Sequence, residues 1–140
     1  SVSSQEGFPS EVRFNTTGTR MFVVGWSSDH VYQYDLTTAY DVSTASYDNV
    51  RFSVSSQEGY AQGMHVNNDG TKMYILGTSS DDIFQYDLTT GFDLSTASYN
   101  NIKSPGTSVA YNPHGIYVNN DGTKFFVIDD DGPIKRYTCN

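Results

Sequence analysis

Residues 1–52 and 53–104 are identical at 28 of 52 positions, and this period restricts the fold more than any other feature of the chain. Ser1-Val-Ser-Ser-Gln-Glu-Gly7 returns unchanged as Ser53 to Gly59, and Gly18-Thr19 returns as Gly70-Thr71 and Gly122-Thr123. A third copy is recognisable and stops early, at Asn140. One unit of such a repeat cannot bury its apolar face alone, so copies must stack on one another. The period therefore speaks for architecture and says little about a ligand.

Four strands are read in each copy. Strand A is Glu11 to Asn15, Gly63 to Asn67 and Gly115 to Asn119; strand B is Arg20 to Gly25, Lys72 to Gly77 and Lys124 to Asp129. The Asp-Gly turns Asn68 to Thr71 and Asn120 to Thr123 separate A from B, because glycine takes positive φ there without steric cost. Strand C alternates with period two in Val31 to Leu36 and Ile83 to Leu88, and recurs as Ile134 to Cys139. A Ser/Thr-rich connection, Thr37 to Asn49 and Thr89 to Asn101, leads to strand D at about Val50 to Ser55. No segment carries a helical period. The expectation is an all-β chain of antiparallel four-stranded blades, a β-propeller, with residues 1–140 as one domain of repeats 1–52, 53–104 and a truncated 105–140.

The segments Asp69 to Tyr74 (Asp-Gly-Thr-Lys-Met-Tyr), Val31 to Thr38 (Val-Tyr-Gln-Tyr-Asp-Leu-Thr-Thr) and Asp41 to Tyr47 resemble bacterial propeller repeats of the YVTN and NHL kind. They are most similar to tandem arrays typical of environmental marine sequences. The resemblance covers the whole chain and implies a propeller. It implies no single activity, because propellers host enzymes, lectins and scaffolds alike.

Propellers close with about four to eight blades, and this chain holds three at most. Ser1 to Ser4 match the tail of a strand D. Exposed blade faces and sheet edges invite pairing, so the expected partner is a second copy, head to tail, giving six blades with Ser1 to Ser4 completing the partner's third blade. The competing reading is a piece of a longer propeller. A start at Ser1 also fits removal of a leader or of a larger precursor.

The net charge of −8 repels phosphate, which argues against nucleic acid and anionic membrane surfaces as partners. No apolar run approaches the roughly 20 residues of a membrane helix. One cysteine, Cys139, allows no internal disulfide; it aligns with Leu36 and Leu88 and reads as a buried hydrophobe. Asn15-Thr16-Thr17 is a formal glycosylation sequon.

Comparison of the copies separates a constant side from a variable one. The A–B and C–D connections, with Thr37, Thr38, Asp41 and Ser43 to Tyr47 recurring 52 residues later, suit scaffolding. Divergence collects along strand A and where the D–A and B–C connections emerge. Matching positions there read Ser10, Gln62, His114; Arg13, His65, Tyr117; Trp26, Thr78, Asp130; and His30, Asp82, Pro133. Differing polar and aromatic groups at one mouth would build a pocket, and exposed loops that simply drift would look the same. The candidate ligand-binding residues are Trp26, Asp29, His30, Tyr60, Gln62, His65, His114 and Tyr117. Trp26 is the expected stacking platform, or else a packing group at a blade seam.

No metal and no cofactor is expected. The three histidines lack His-x-His or His-Glu-x-x-His spacing, and Asp81-Asp82 and Asp129 to Asp131 lack the EF-hand pattern, so they read as a solvated acidic loop that leaves calcium open. Glu6 and Glu58 share a repeat position, which signals blade architecture, and only Glu11 and Arg13 remain near the mouth for acid–base work. No nucleophile elbow, phosphate loop or dinucleotide fingerprint occurs. The expected function is non-catalytic recognition, carbohydrate first, in an extracellular or cell- or virion-surface setting. The alternatives are a structural repeat of a surface or virion assembly and, third, a lactonase- or sialidase-like hydrolase.

Overall fold

The computed structural model describes residues 1–80, 82–104, 112–130, 132 and 134–138. Among them, strands form three antiparallel sheets. Blade 1 comprises β1 (Pro9–Phe14), β2 (Arg20–Gly25), β3 (His30–Leu36) and β4 (Ala45–Ser53), in that spatial order. Blade 2 repeats it with β5 (Ala61–Val66), β6 (Lys72–Gly77), β7 (Ile83–Leu88) and β8 (Ala97–Lys103). Blade 3 shows β9 (Pro113–Val118), β10 (Lys124–Asp129) and β11 (Lys135–Thr138). The fold is all-β, a run of propeller blades that closes no ring within the described residues. Cys139 and Asp81, Asp131 and Pro133 lie outside them.

Strand B has the expected bounds in all three copies, because a glycine turn fixes its start. Gly18, Gly70 and Gly122 hold φ of 71°, 74° and 72°. Gly18 could not carry a side chain for a second reason: a Cβ would lie 2.4 Å from the Tyr40 ring, which folds over the A–B turn. Strand A begins two residues earlier than expected, at Pro9, Ala61 and Pro113, with a register shift between Pro9 and Glu11 that the side-chain pattern conceals. Proline is tolerated at a first strand position because its missing N–H is not needed there.

Strand D differs most from expectation. It starts at Ala45 and Ala97, inside the Ser/Thr-rich segment, with Ala45, Ser46 and Tyr47 paired to Leu36, Asp35 and Tyr34. Asn49 at φ 66° then breaks the register, and Arg51 pairs with Tyr32. The break halves the apparent strand, so sequence periodicity sees only the second part. Ahead of it lie 3-10 turns at Val42–Thr44 and Leu94–Thr96, too short to show a helical period. Asp41 and Asp93 cap them, each accepting from the serine N–H two residues on at 3.0 Å.

Successive residues of strand B point to opposite faces and so enter different cores. Phe22 and Val24 of blade 1, with Val31, pack against Met73, Ile75 and Tyr86 of blade 2. Tyr74, Leu76 and Ile83 of blade 2 pack against Ile116, Phe125 and Val127 of blade 3. Met21, Val23, Tyr32, Tyr34 and Leu36 form a third cluster on the opposite face of blade 1. Polar bonds reinforce the first seam: Arg20 Nη1 donates to the Phe92 carbonyl at 2.8 Å, and the Leu94 N–H donates to Gln33 Oε1 at 2.8 Å. Among the described residues no helix is long and apolar enough to cross a membrane.

Candidate functional site

The D–A and B–C connections meet at one end of the blades around a buried glutamate. Glu6 Oε1 accepts from Phe8 N at 2.9 Å, from Ser27 N at 3.2 Å and from Ser27 Oγ, while Oε2 accepts from Ser28 Oγ at 2.6 Å. Glu58 repeats this with Tyr60 N at 2.8 Å, Ser79 N at 3.0 Å, Ser79 Oγ and Ser80 Oγ at 2.6 Å. Burial pushes the Glu6 carboxyl up, but the donors from Ser27, Ser28 and the backbone outweigh it and hold it below its ordinary value. A carboxylate that accepts four hydrogen bonds from two connections holds those loops together. Glu6 and Glu58 are the architectural residues their shared repeat position implied.

On this frame the aromatic residues gather. Trp26 stacks on Phe8, with centroids 4.2 Å apart and planes at 14°, and on Tyr60, at 4.9 Å and 13°. The three rings bridge blade 1 and blade 2. Trp26 is half-buried, while Phe8 is 55% and Tyr60 37% exposed, so solvent meets the outer members of the stack. Phe8 was missed in the sequence, although it occupies the same repeat position as Tyr60.

The remaining candidates fall into separate groups. Asp29, at φ 53°, takes the Val54 N–H on its carbonyl at 2.9 Å, and its Oδ1 is buried without a hydrogen-bond partner. Burial and the charges of Glu58 and Glu6 raise its pKa, with His30 acting in the opposite sense. His30 Nδ1 meets the Ser28 carbonyl at 2.5 Å, and its ring lies 5.9 Å from that of Tyr32. In blade 3, among the described residues, His114 Nε2 lies 2.8 Å from Asp130 Oδ1, where blade 1 has Ser10 and Trp26. Gln62 is half-buried on β5 between these groups in sequence register.

His65 and Tyr117 lie three residues further along strand A, or about 10 Å at strand rise, His65 half-buried and Tyr117 54% exposed. Their rings meet edge to face at 5.1 Å. Arg13 joins them, bound to Glu11 at 3.1 Å and donating to the Ile116 carbonyl at 3.4 Å. This cluster thus spans three inner strands. Burial, with the Arg13 guanidinium adding to it, pushes the His65 imidazole down to about 4, so it is neutral at pH 7. The two clusters, rim and channel, are distinct, and the eight candidates do not converge on one pocket.

Asp129 and Asp130 are each paired, the former with Lys135 at 2.6 Å. Among the described residues no group of three or more His, Cys, Asp or Glu side chains comes together as a metal site.

Comparison with known proteins gives the fold and nothing finer. No protein-family model matches the chain, and no curated protein matches it in sequence. Solved structures do match. A protein of unknown function from Desulfotomaculum acetoxidans superposes with TM-score 0.67 at 13% identity, over 94% of this chain and 38% of that one. A 6-phosphogluconolactonase-like protein from Bacteroides fragilis gives 0.69 at 12% identity, over 94% and 35%, and one from Bacteroides uniformis 0.61 at 14%, over 93% and 41%. The chain thus spans well under half the length of these proteins. It shares a β-propeller blade fold with these structures, and no family model supports the resemblance to YVTN and NHL repeats.

Proposed function

We propose that the chain is a non-catalytic recognition module that takes a carbohydrate at the face formed by the D–A and B–C connections. The observation that carries this reading is the Phe8–Trp26–Tyr60 stack, whose outer rings are exposed beside polar loop groups. Aromatic planes bury the apolar face of a pyranose, and neighbouring donors and acceptors engage its hydroxyls. The polar groups assigned to that role are Asp29 of the B–C loop, His30 at the start of β3 and Gln62 of β5, with the His114–Asp130 pair a separate polar group on blade 3. An extracellular or surface setting, with repeats of the YVTN or NHL kind, goes with this reading.

A glycan array tests it. Binding that is lost in Phe8→Ala and Trp26→Ala, with folding retained, supports the module; silence over diverse glycans leaves the structural-repeat reading in its place.

One observation favours a hydrolase as the second reading: two of the structural neighbours are 6-phosphogluconolactonase-like. Against it, the channel offers weak acid–base chemistry. His65 near 4 is a poor general base at neutral pH, and the Arg13 charge is already engaged by Glu11. Turnover of simple lactones that disappears in His65→Gln would reverse the preference.

A further inference from the structure

Blade 1 carries an empty copy of a seat that is filled inside the chain. At the seam between blades 1 and 2, the ridge Phe22, Val24 and Val31 sits among Val54, Ala61, Met64, Met73, Ile75 and Leu94. Subtracting the 52-residue period from that seat gives Val2, Pro9, Val12, Met21, Val23 and Val42. Those six residues line a cleft of ≈ 490 Å³ on the face of blade 1 opposite Phe22 and Val24.

The matching ridge stands on blade 3. Phe126, Ile128 and Ile134 occupy the repeat positions of Phe22, Val24 and Val31, and of Tyr74, Leu76 and Ile83. Val24 and Leu76 are fully buried by the next blade, whereas Ile128 is 53% exposed; Val31 is fully buried and Ile134 is 65% exposed. The outer part of the seat shows the same contrast, Met64 being fully buried where Val12 is 44% exposed. Leu94 is 1% exposed beneath blade 1, and its counterpart Val42 is 63% exposed. The floor of the seat, Met21 and Val23, is already buried in blade 1's own cluster.

We propose that the blade 3 ridge of one copy docks in the blade 1 cleft of a second copy, head to tail, and that two copies close a six-blade ring. The occupant is a second copy because ridge and seat are both present on one molecule, in the register of an interface the chain already forms within itself. Two different faces that pair head to tail close into a ring when the rotation fits, and six blades fall within the usual range. One polar bond carries over: Arg20 donates to the Phe92 carbonyl, and their counterparts are Lys124 and Tyr40, so Lys124 reaches the Tyr40 carbonyl of the second copy. Another does not. Gln33 accepts from the Leu94 N–H, but its blade 3 counterpart is Arg136, which has no acceptor to offer the Val42 N–H. The seam between copies is therefore weaker than the internal one.

Sedimentation velocity on the 140-residue chain from about 1 to 100 μM, the range in which weak pairs form, tests the docking directly. The expected species has twice the chain mass. A monomer throughout, or growth to larger assemblies, overturns the two-copy ring. Ile128→Arg and Val42→Arg each sediment as monomers with an unchanged β-sheet circular dichroism spectrum; a variant that still pairs like the unmutated chain overturns the assignment of the faces. An equimolar mixture of the two regains pairing, because a mixed pair keeps one intact seam. A mixture that stays monomeric overturns the head-to-tail arrangement. If Ile128→Arg fails to fold, Ile134→Asp, at the more exposed ridge residue, carries the same comparison.

Discussion

Gly25 and Glu6 lie so close that a Cβ on the glycine would stand 2.6 Å from the glutamate's carboxyl carbon and 2.3 Å from the Phe8 carbonyl. Gly77 and Glu58 repeat the relationship, at 2.5 Å and 2.3 Å from the Tyr60 carbonyl. In the third copy both partners change together: the glutamate position is Ala110 and the glycine position is Asp129. Asp129 is buried, with its carboxylate on Lys135, which stands where the other copies have Tyr32 and Phe84. The acid has moved from the loop to the strand.

That exchange makes a prediction about coupling. Gly25→Ala has no room for its methyl and loses about 1–3 kcal/mol by overpacking. Gly25→Asp loses more, because it also sets a second carboxylate against Glu6. Adding Glu6→Ala to Gly25→Asp recovers part of that loss, giving a favourable interaction term in a double-mutant cycle. Urea unfolding of the four proteins measures it, and strict additivity would contradict the exchange.

Glu6 also sets a pH dependence. Its folded pKa lies below the ordinary 4.5, so its contribution is fully present above about pH 4.5 and is lost as the pH falls through the folded value. Glu6→Gln flattens this acid limb and destabilises the protein at pH 7 by about 1–3 kcal/mol, since donors chosen for a carboxylate meet an amide. Thermal melts from pH 3 to pH 7, compared between the two proteins, show whether the limb belongs to Glu6.

How much of this was legible differs between elements, for physical reasons. Strand B could be bounded to the residue because a positive-φ glycine precedes it and a glycine packed on a glutamate ends two of its copies. Strand D could not, because Ala45 to Tyr47 read as a polar connection and Asn49 resets the pleat. The matching positions Arg13, His65 and Tyr117 identified the channel cluster, since neighbouring inner strands bring equal register positions together. The same comparison set Trp26 apart and picked Tyr60 but missed Phe8, its aromatic counterpart one period earlier, because the period does not show that both rings flank the same indole. The division into rim and channel was invisible too, because period and identity carry no measure of depth along a strand.

His65 provides the opposite sign of titration from a paired histidine. Its folded pKa is about 4 against 6.5 when unfolded, so between those values the unfolded state binds the extra proton and stability falls as the pH drops. His65→Phe keeps the edge-to-face contact with Tyr117 and removes that slope from the pH 4–6.5 window. Arg13→Met, which withdraws the neighbouring cation, raises the His65 pKa. Imidazole proton shifts followed by NMR read both; a His65 that titrates near 6.5 in the unmutated chain would remove the basis for the claim.

Gln33 and Gln85 stand at the same repeat position and do different work, which gives an internal control. Gln33 is buried, donates to Asp48 Oδ2 at 2.5 Å and accepts the Leu94 N–H at 2.8 Å, tying blade 1 to blade 2. Gln85 is half-buried and donates to Asp87 Oδ1 at 3.2 Å within its own strand. Gln33→Leu strands a buried N–H and a carboxylate oxygen, a loss of about 1–3 kcal/mol. Gln85→Leu leaves Asp87 still bound to Lys72 at 3.1 Å and stays within about 0.5 kcal/mol of the parent. Chemical unfolding of the two single variants separates them, and equal losses would show that the inter-blade bond to Leu94 contributes nothing beyond the repeat's own sheet.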